Sequence, residues 1–130
     1  MNPTGLEPLK GLTLPIVVPK ALPAGFVLKS ARPTSEFDEE SYQVEWSSGE
    51  STLIILGTSG GIGDRLPGER SFQFQHPTFG QVQIEVEEDQ LATGWMSEMS
   101  DGLPAYCLVG REMQEQLFLE IASSLDYLKL

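Results

Sequence analysis

From Phe26 onward, apolar and polar side chains alternate with a period of two, the pattern of strands with one buried face. Tyr42, Val44 and Trp46 alternate with Gln43, Glu45 and Ser47. Phe72 and Phe74 alternate with Gln73 and Gln75, and Val82, Ile84 and Val86 with Gln83, Glu85 and Glu87. Ser51 to Leu56 is apolar on both faces, which predicts a central strand, and Ser48-Gly49 predicts the hairpin turn that leads into it. Weaker strands are expected around Thr93 to Met96 and Pro104 to Val109, with turns at Pro67-Gly68, Pro77 through Gly80 and Asp101-Gly102. The gaps between strands leave no room for crossover helices, so the sheet is expected to be mainly antiparallel.

The period changes after Gly110. Leu117, Phe118, Ile121, Ala122, Leu125 and Leu128 form an i, i+3, i+4 stripe that predicts one amphipathic helix, with Gly110 as its N-cap and acids in its first turn. Its apolar stripe needs a large apolar surface, and the sheet supplies one. The first 24 residues hold Pro3, Pro8, Pro15, Pro19 and Pro23, a density that blocks regular helix and central strand alike. This segment is expected to be an extended arm whose Leu12 to Val18 stretch lies along a groove. The expected fold is therefore α+β: a curved, mainly antiparallel sheet of six to seven strands with one C-terminal helix on its apolar face. Residues 1–24 form the proline-rich arm and residues 25–130 the domain.

Composition adds limits. At 130 residues, with 40% apolar and 21% charged, the chain is an ordinary globular domain with a core of its own. Cys107 is the only cysteine, which rules out an internal disulfide and a cysteine-built zinc site. A net charge of −11 argues against nucleic acid as a partner, because phosphate binding requires a positive footprint. Residues 1–32 carry Lys10, Lys20, Lys29 and Arg32 against Glu7, a basic arm beside an acidic body. Such an arm is expected to pack on the body or to lie near an anionic surface. No apolar run approaches the ~20 residues of a membrane span. The chain as given is expected to be soluble and cytoplasmic, with an extracytoplasmic domain of an anchored protein as the alternative.

The stretch Gly57-Thr58-Ser59-Gly60-Gly61-Ile62-Gly63 follows Leu53 to Leu56 and invites two catalytic readings. A dinucleotide loop needs a helix directly after it, and Pro67-Gly68 stops any helix within one turn. The loop also resembles that of short-chain dehydrogenases, but the Tyr-x-x-x-Lys pair of that family is missing. A hydrolase elbow at Ser59, with Asp64 or Glu69 and then His76, has the right order and lacks the same helix. The stretch is expected to be a mobile hairpin connection. His76, the sole histidine, is expected in a surface or turn role, and Cys107 as a small core residue rather than a partner of His76. The acidic clusters Glu36-Asp38-Glu39-Glu40 and Glu85-Glu87-Glu88-Asp89 lack the spacing of a calcium loop and read as a solvated loop and a wet sheet face. No catalytic, metal or cofactor residues are therefore expected. Trp95, Met96, Met99 and Leu103, with Leu91 nearby, form a methionine- and aromatic-rich segment. Packing in the core or against the helix is expected there, with contact to a partner or ligand as the alternative.

Leu22-Pro23-x-Gly25-Phe26, then Tyr42-x-Val44-x-Trp46-Ser47-Ser48-Gly49-Glu50-Ser51-Thr52-Leu53-x-Ile55, Gly94-Trp95, Tyr106-x-Leu108-x-Gly110 and Ile121-Ala122-Ser123-Ser124-Leu125 together resemble a bacterial family, domain of unknown function 4367. The resemblance runs over about residues 22–126 and implies a curved antiparallel sheet with one helix against it. Members of that family often form the extracytoplasmic end of membrane proteins, including anti-sigma-factor-like ones. The glycine-rich insertion after Leu56 departs from the family pattern. The expected function is a non-catalytic binding or regulatory module for a protein partner or apolar ligand. The alternatives are a small serine hydrolase using Ser59 and His76, and a structural subunit of a larger assembly.

Overall fold

The computed structural model describes residues 6–9, 11–34, 40–59, 69–98 and 104–128. After a single 3-10 turn at Glu7–Leu9 come β1 (Ile16–Pro19), β2 (Val27–Thr34), β3 (Ser41–Ser48), β4 (Ser51–Thr58) and β5 (Arg70–His76). They are followed by β6 (Gly80–Val86), β7 (Gln90–Thr93), β8 (Ala105–Arg111), α1 (Glu115–Ser123) and β9 (Leu125–Leu128). Seven strands form one open antiparallel sheet in the order β2-β3-β4-β8-β7-β6-β5, and β1 and β9 form a separate two-stranded ribbon. The α+β reading holds, with the helix against the apolar face of the sheet.

Period-two alternation places Tyr42, Val44 and Trp46 of β3 on the same face as Leu53 and Ile55 of β4, Tyr106 and Leu108 of β8, and Val82 and Ile84 of β6. Phe118, Ile121 and Ala122 of α1 and Ile16, Val17, Val18 and Leu125 of the ribbon cover that face. Each Val, Leu, Ile or Phe among them contributes roughly 1.5–3 kcal/mol when fully buried. Gly49 (φ 60°) closes the expected β3–β4 hairpin, and Gly80 (φ 74°) ends the turn between β5 and β6, both in the left-handed region.

Four sequence expectations change. The helix ends at Ser123, and Leu125–Leu128 is strand rather than its last turn. Ser123 and Ser124 donate their hydroxyls to the Leu119 and Ile121 carbonyls, a local alternative to further helix. The next four residues pair instead with Ile16–Pro19. Gly110 is not an N-cap but part of β8, where a Cβ would come within 2.7 Å of the Phe118 ring. Gln114 occupies the cap position without a side-chain bond. Within the segment expected to be an extended arm, Glu7–Leu9 is a 3-10 turn and Ile16–Pro19 a fully buried strand, and Leu6, Leu9 and Leu14 also join the core. Finally, the strand expected at Thr93 to Met96 lies at Gln90–Thr93. The Thr93 hydroxyl accepts the Leu108 N–H at 2.9 Å, and the chain then rejoins β8 through the bridge between Met96 and Tyr106.

Gly57 and Thr58 of the glycine-rich stretch are the last residues of β4. The remainder from Gly60, the turns at Pro67-Gly68 and Asp101-Gly102, the acids Glu36, Asp38 and Glu39, and Met99 and Leu103 lie outside the described residues.

Candidate functional site

Three chain segments meet at one end of the sheet and enclose a groove of about 680 Å³. Glu69 and Arg70 come from the start of β5, Val86 to Leu91 from the β6–β7 turn, and Glu112 to Glu115 from the β8–α1 connection. Backbone bonds tie the walls together. Glu87 donates its N–H to the Gln90 carbonyl at 2.8 Å, Glu112 to Asp89 at 3.0 Å, and Glu69 to Val86 at 2.9 Å. The Ser51 hydroxyl donates to the Glu112 carbonyl, and Glu112 holds the left-handed φ of 53° that turns the chain toward α1.

Six carboxylates line the groove: Glu69, Glu87, Glu88, Asp89, Glu112 and Glu115. Arg70 is the one cation in the lining among the described residues, and its guanidinium pairs with Glu115. Val86, Leu91 and Met113 supply the apolar part of the surface. Among the described residues, no three His, Cys, Asp or Glu side chains converge to hold a metal ion, so the acids form a spread rim rather than a chelate. Local sequence suggests only a wet face at Glu85 to Asp89. It takes the adjacency of β5, β6, β7 and β8 to bring carboxylates from positions 69, 87–89, 112 and 115 to one groove.

The residues singled out from sequence fall elsewhere. Met96 is 3% exposed, with its backbone N–H and carbonyl both bonded to Tyr106. Trp95 is half-buried against Ala92, Cys107 and Val109 on the sheet face opposite the main core. The apolar face of the sheet is covered by α1 and the β1–β9 ribbon.

Ser59 and His76 are not brought together. The Ser59 hydroxyl donates to the Glu40 carbonyl at 3.1 Å. Ser59 follows β4 and His76 ends β5, four strand positions away in the sheet, a lateral offset of roughly 19 Å at the usual spacing. His76 Nδ1 accepts the backbone N–H groups of Thr78 and Phe79, at 2.9 and 3.2 Å, which places the ring proton on Nε2. Its ring stacks near Phe79 on the inner face, whereas Cys107 belongs to the outer cluster and donates its thiol to the Thr93 carbonyl. A Cys107–His76 pair does not form.

Two of these groups couple folding to pH. Burial holds His76 below its ordinary pKa of 6.5, against the smaller opposing pulls of the Leu125 carbonyl and the Asp126 carboxylate. The unfolded chain therefore takes up this proton first, and stability falls as pH drops below about 6.5. Glu40, read from sequence as part of a solvated loop, accepts the Thr13 hydroxyl and the N–H groups of Thr13 and Leu14. The Thr13 hydroxyl bond, foremost, lowers its pKa below 4.5, so its contribution is present above that value and is lost as pH falls further. Urea midpoints are expected to fall between about pH 7 and about pH 5, and His76→Asn to flatten that limb, since an amide oxygen gains no proton there. An equally steep limb in the variant would remove His76 from this role.

No family model matches the chain, and no curated protein matches it. Among the described residues, no helix is long and apolar enough to cross a membrane.

Proposed function

We propose that this protein is a non-catalytic binding module whose acidic groove takes a cationic, partly apolar segment of a protein partner. The observation that carries the reading is the groove itself. Among the described residues, six carboxylates rim an apolar strip, and the one cation beside them is already paired. Such a surface attracts lysine and arginine side chains, whose apolar stems cover Val86, Leu91 and Met113 while their charged ends reach the rim. It repels phosphate, as the net charge of −11 also does. The engagement of Ser59 and His76 with backbone groups supports a role without catalysis. The regulatory role implied by the family resemblance is compatible with this reading.

Calorimetric titration with a synthetic peptide alternating lysine and leucine tests it. Saturable binding is expected, weakening with added salt. Reversing two rim charges, Glu88→Lys with Asp89→Lys, is expected to weaken it about tenfold. The same reversal away from the groove, Glu45→Lys with Glu120→Lys, should change it less than about threefold. Equal losses from the two double variants would reduce the attraction to overall charge and remove the groove as the site.

A further inference from the structure

The seven-stranded sheet has two edges, β2 and β5, and the two are built differently. Exposed edges invite pairing with another chain, and proteins block them with bulges, prolines and charges. The β2 edge carries all three: a register shift between Leu28 and Ser30, Pro33 within the strand, and Lys29 with Arg32. The β5 edge carries none of them between Ser71 and His76. Its seven residues pair with β6 without a register shift, and residues 70–84 contain no aspartate or glutamate in a chain of net charge −11.

We infer that β5 is a self-association edge, at which a second copy of this chain adds its own β5 in antiparallel register to form a two-fold dimer. The strand is self-complementary about Gln73. Antiparallel pairing centred there sets Phe72 opposite Phe74 of the second copy, Ser71 opposite Gln75 and Gln73 opposite itself. No like charges face each other in that register. Phe72 and Phe74 are only half-buried against the core, so each leaves apolar surface at the edge for its counterpart to cover. On the other face Gln73 is exposed and already accepts a bond from the Gln81 amide. Alternate residues of an edge strand point their N–H and C=O groups outward, and a second β5 satisfies them. Because the β2 edge is blocked, the contact is isologous and closes at two copies instead of growing into a filament. Arg70, the first residue of β5, also lines the acidic groove, but the dimer does not rest on the binding reading of that groove.

Sedimentation velocity of the full chain over a concentration series into the hundred-micromolar range tests this. The expected result is a monomer–dimer equilibrium, doubling the 14.3 kDa mass and strengthening with salt as the net negative charge of each copy is screened. Gln73→Lys sets two lysines opposite each other at an exposed position, so the fold should persist by circular dichroism while dimerisation weakens about fivefold. Gln73→Glu should do the same. An equimolar mixture of the two variants should associate at least as tightly as the parent, since lysine then faces glutamate. A parent monomeric throughout the series, a dimer indifferent to Gln73→Lys, or a mixture that fails to recover association would each overturn the inference.

Discussion

Gly57→Ala is expected to destabilise the protein by about 3 kcal/mol, at the upper end of the usual cost of overpacking a core. Gly57 sits in β4 between Tyr42 on β3 and Tyr106 on β8. A Cβ at this position would enter the Tyr42 ring, with Cζ at 2.7 Å and Cδ1 at 2.9 Å. An exposed ring would swing aside at little cost. The Tyr42 ring is 1% exposed, and its hydroxyl is held at the far end by both polar groups of Val17. Relief thus requires either a shift of the β4 backbone or loss of those bonds. Urea denaturation should show a lowered midpoint with an unchanged slope. A loss below about 1 kcal/mol would mean that the ring moves freely, contrary to the contacts described.

Tyr42→Phe is expected to cost roughly 2–4 kcal/mol, the penalty for two buried backbone groups left without partners. The Tyr42 hydroxyl accepts the Val17 N–H and donates to the Val17 carbonyl, both at 2.7 Å. Val17 is fully buried in a strand whose only strand partner among the described residues is β9, so the tyrosine stands in for a ladder on the other side. Burial raises the Tyr42 pKa well above its ordinary value, and the neutral hydroxyl can act as donor and acceptor at once across the usable pH range. Tyr106→Phe provides the comparison. Its hydroxyl donates to the carbonyl of Pro15, an exposed residue that water can reach, and the expected cost is about 1 kcal/mol or less. Equal losses in the two variants would contradict the special role given to Val17. Combining Tyr42→Phe with Gly57→Ala should cost less than both separately, because the freed ring can shift.

Those two residues also show how far the sequence could be read. Alternation around Tyr42 and Trp46, the Ser48-Gly49 turn and the apolar run before Gly57 each depend on neighbours within a few positions, and all appear where the pattern places them. Contacts between distant segments leave no such local trace. Val17 and Tyr127 are directly paired across 110 positions, and Leu125 to Leu128 fits the end of a helical stripe as well as a short strand. Gly57 itself carried an ambiguous signal, since a glycine before Ser59 and Gly61 suggests a catalytic loop. The close approach of the Tyr42 ring explains it by packing. The groove was hidden for a related reason. Its acids are individually ordinary surface residues and share one groove only where the start of β5, the β6–β7 turn and the β8–α1 connection converge. The aromatic segment at Trp95 and Met96 drew attention by residue type, yet Met96 is buried in the sheet core.

The binding reading is tested most directly by mapping where a cationic peptide lands on the nitrogen-labelled protein. With the lysine–leucine peptide, saturable amide shifts are expected to cluster at Glu87 to Gln90 and Glu112 to Glu115, the two walls of the groove, leaving Trp95 unchanged. Shifts centred on Trp95, or none that saturate, would contradict the assignment of the groove as the binding site.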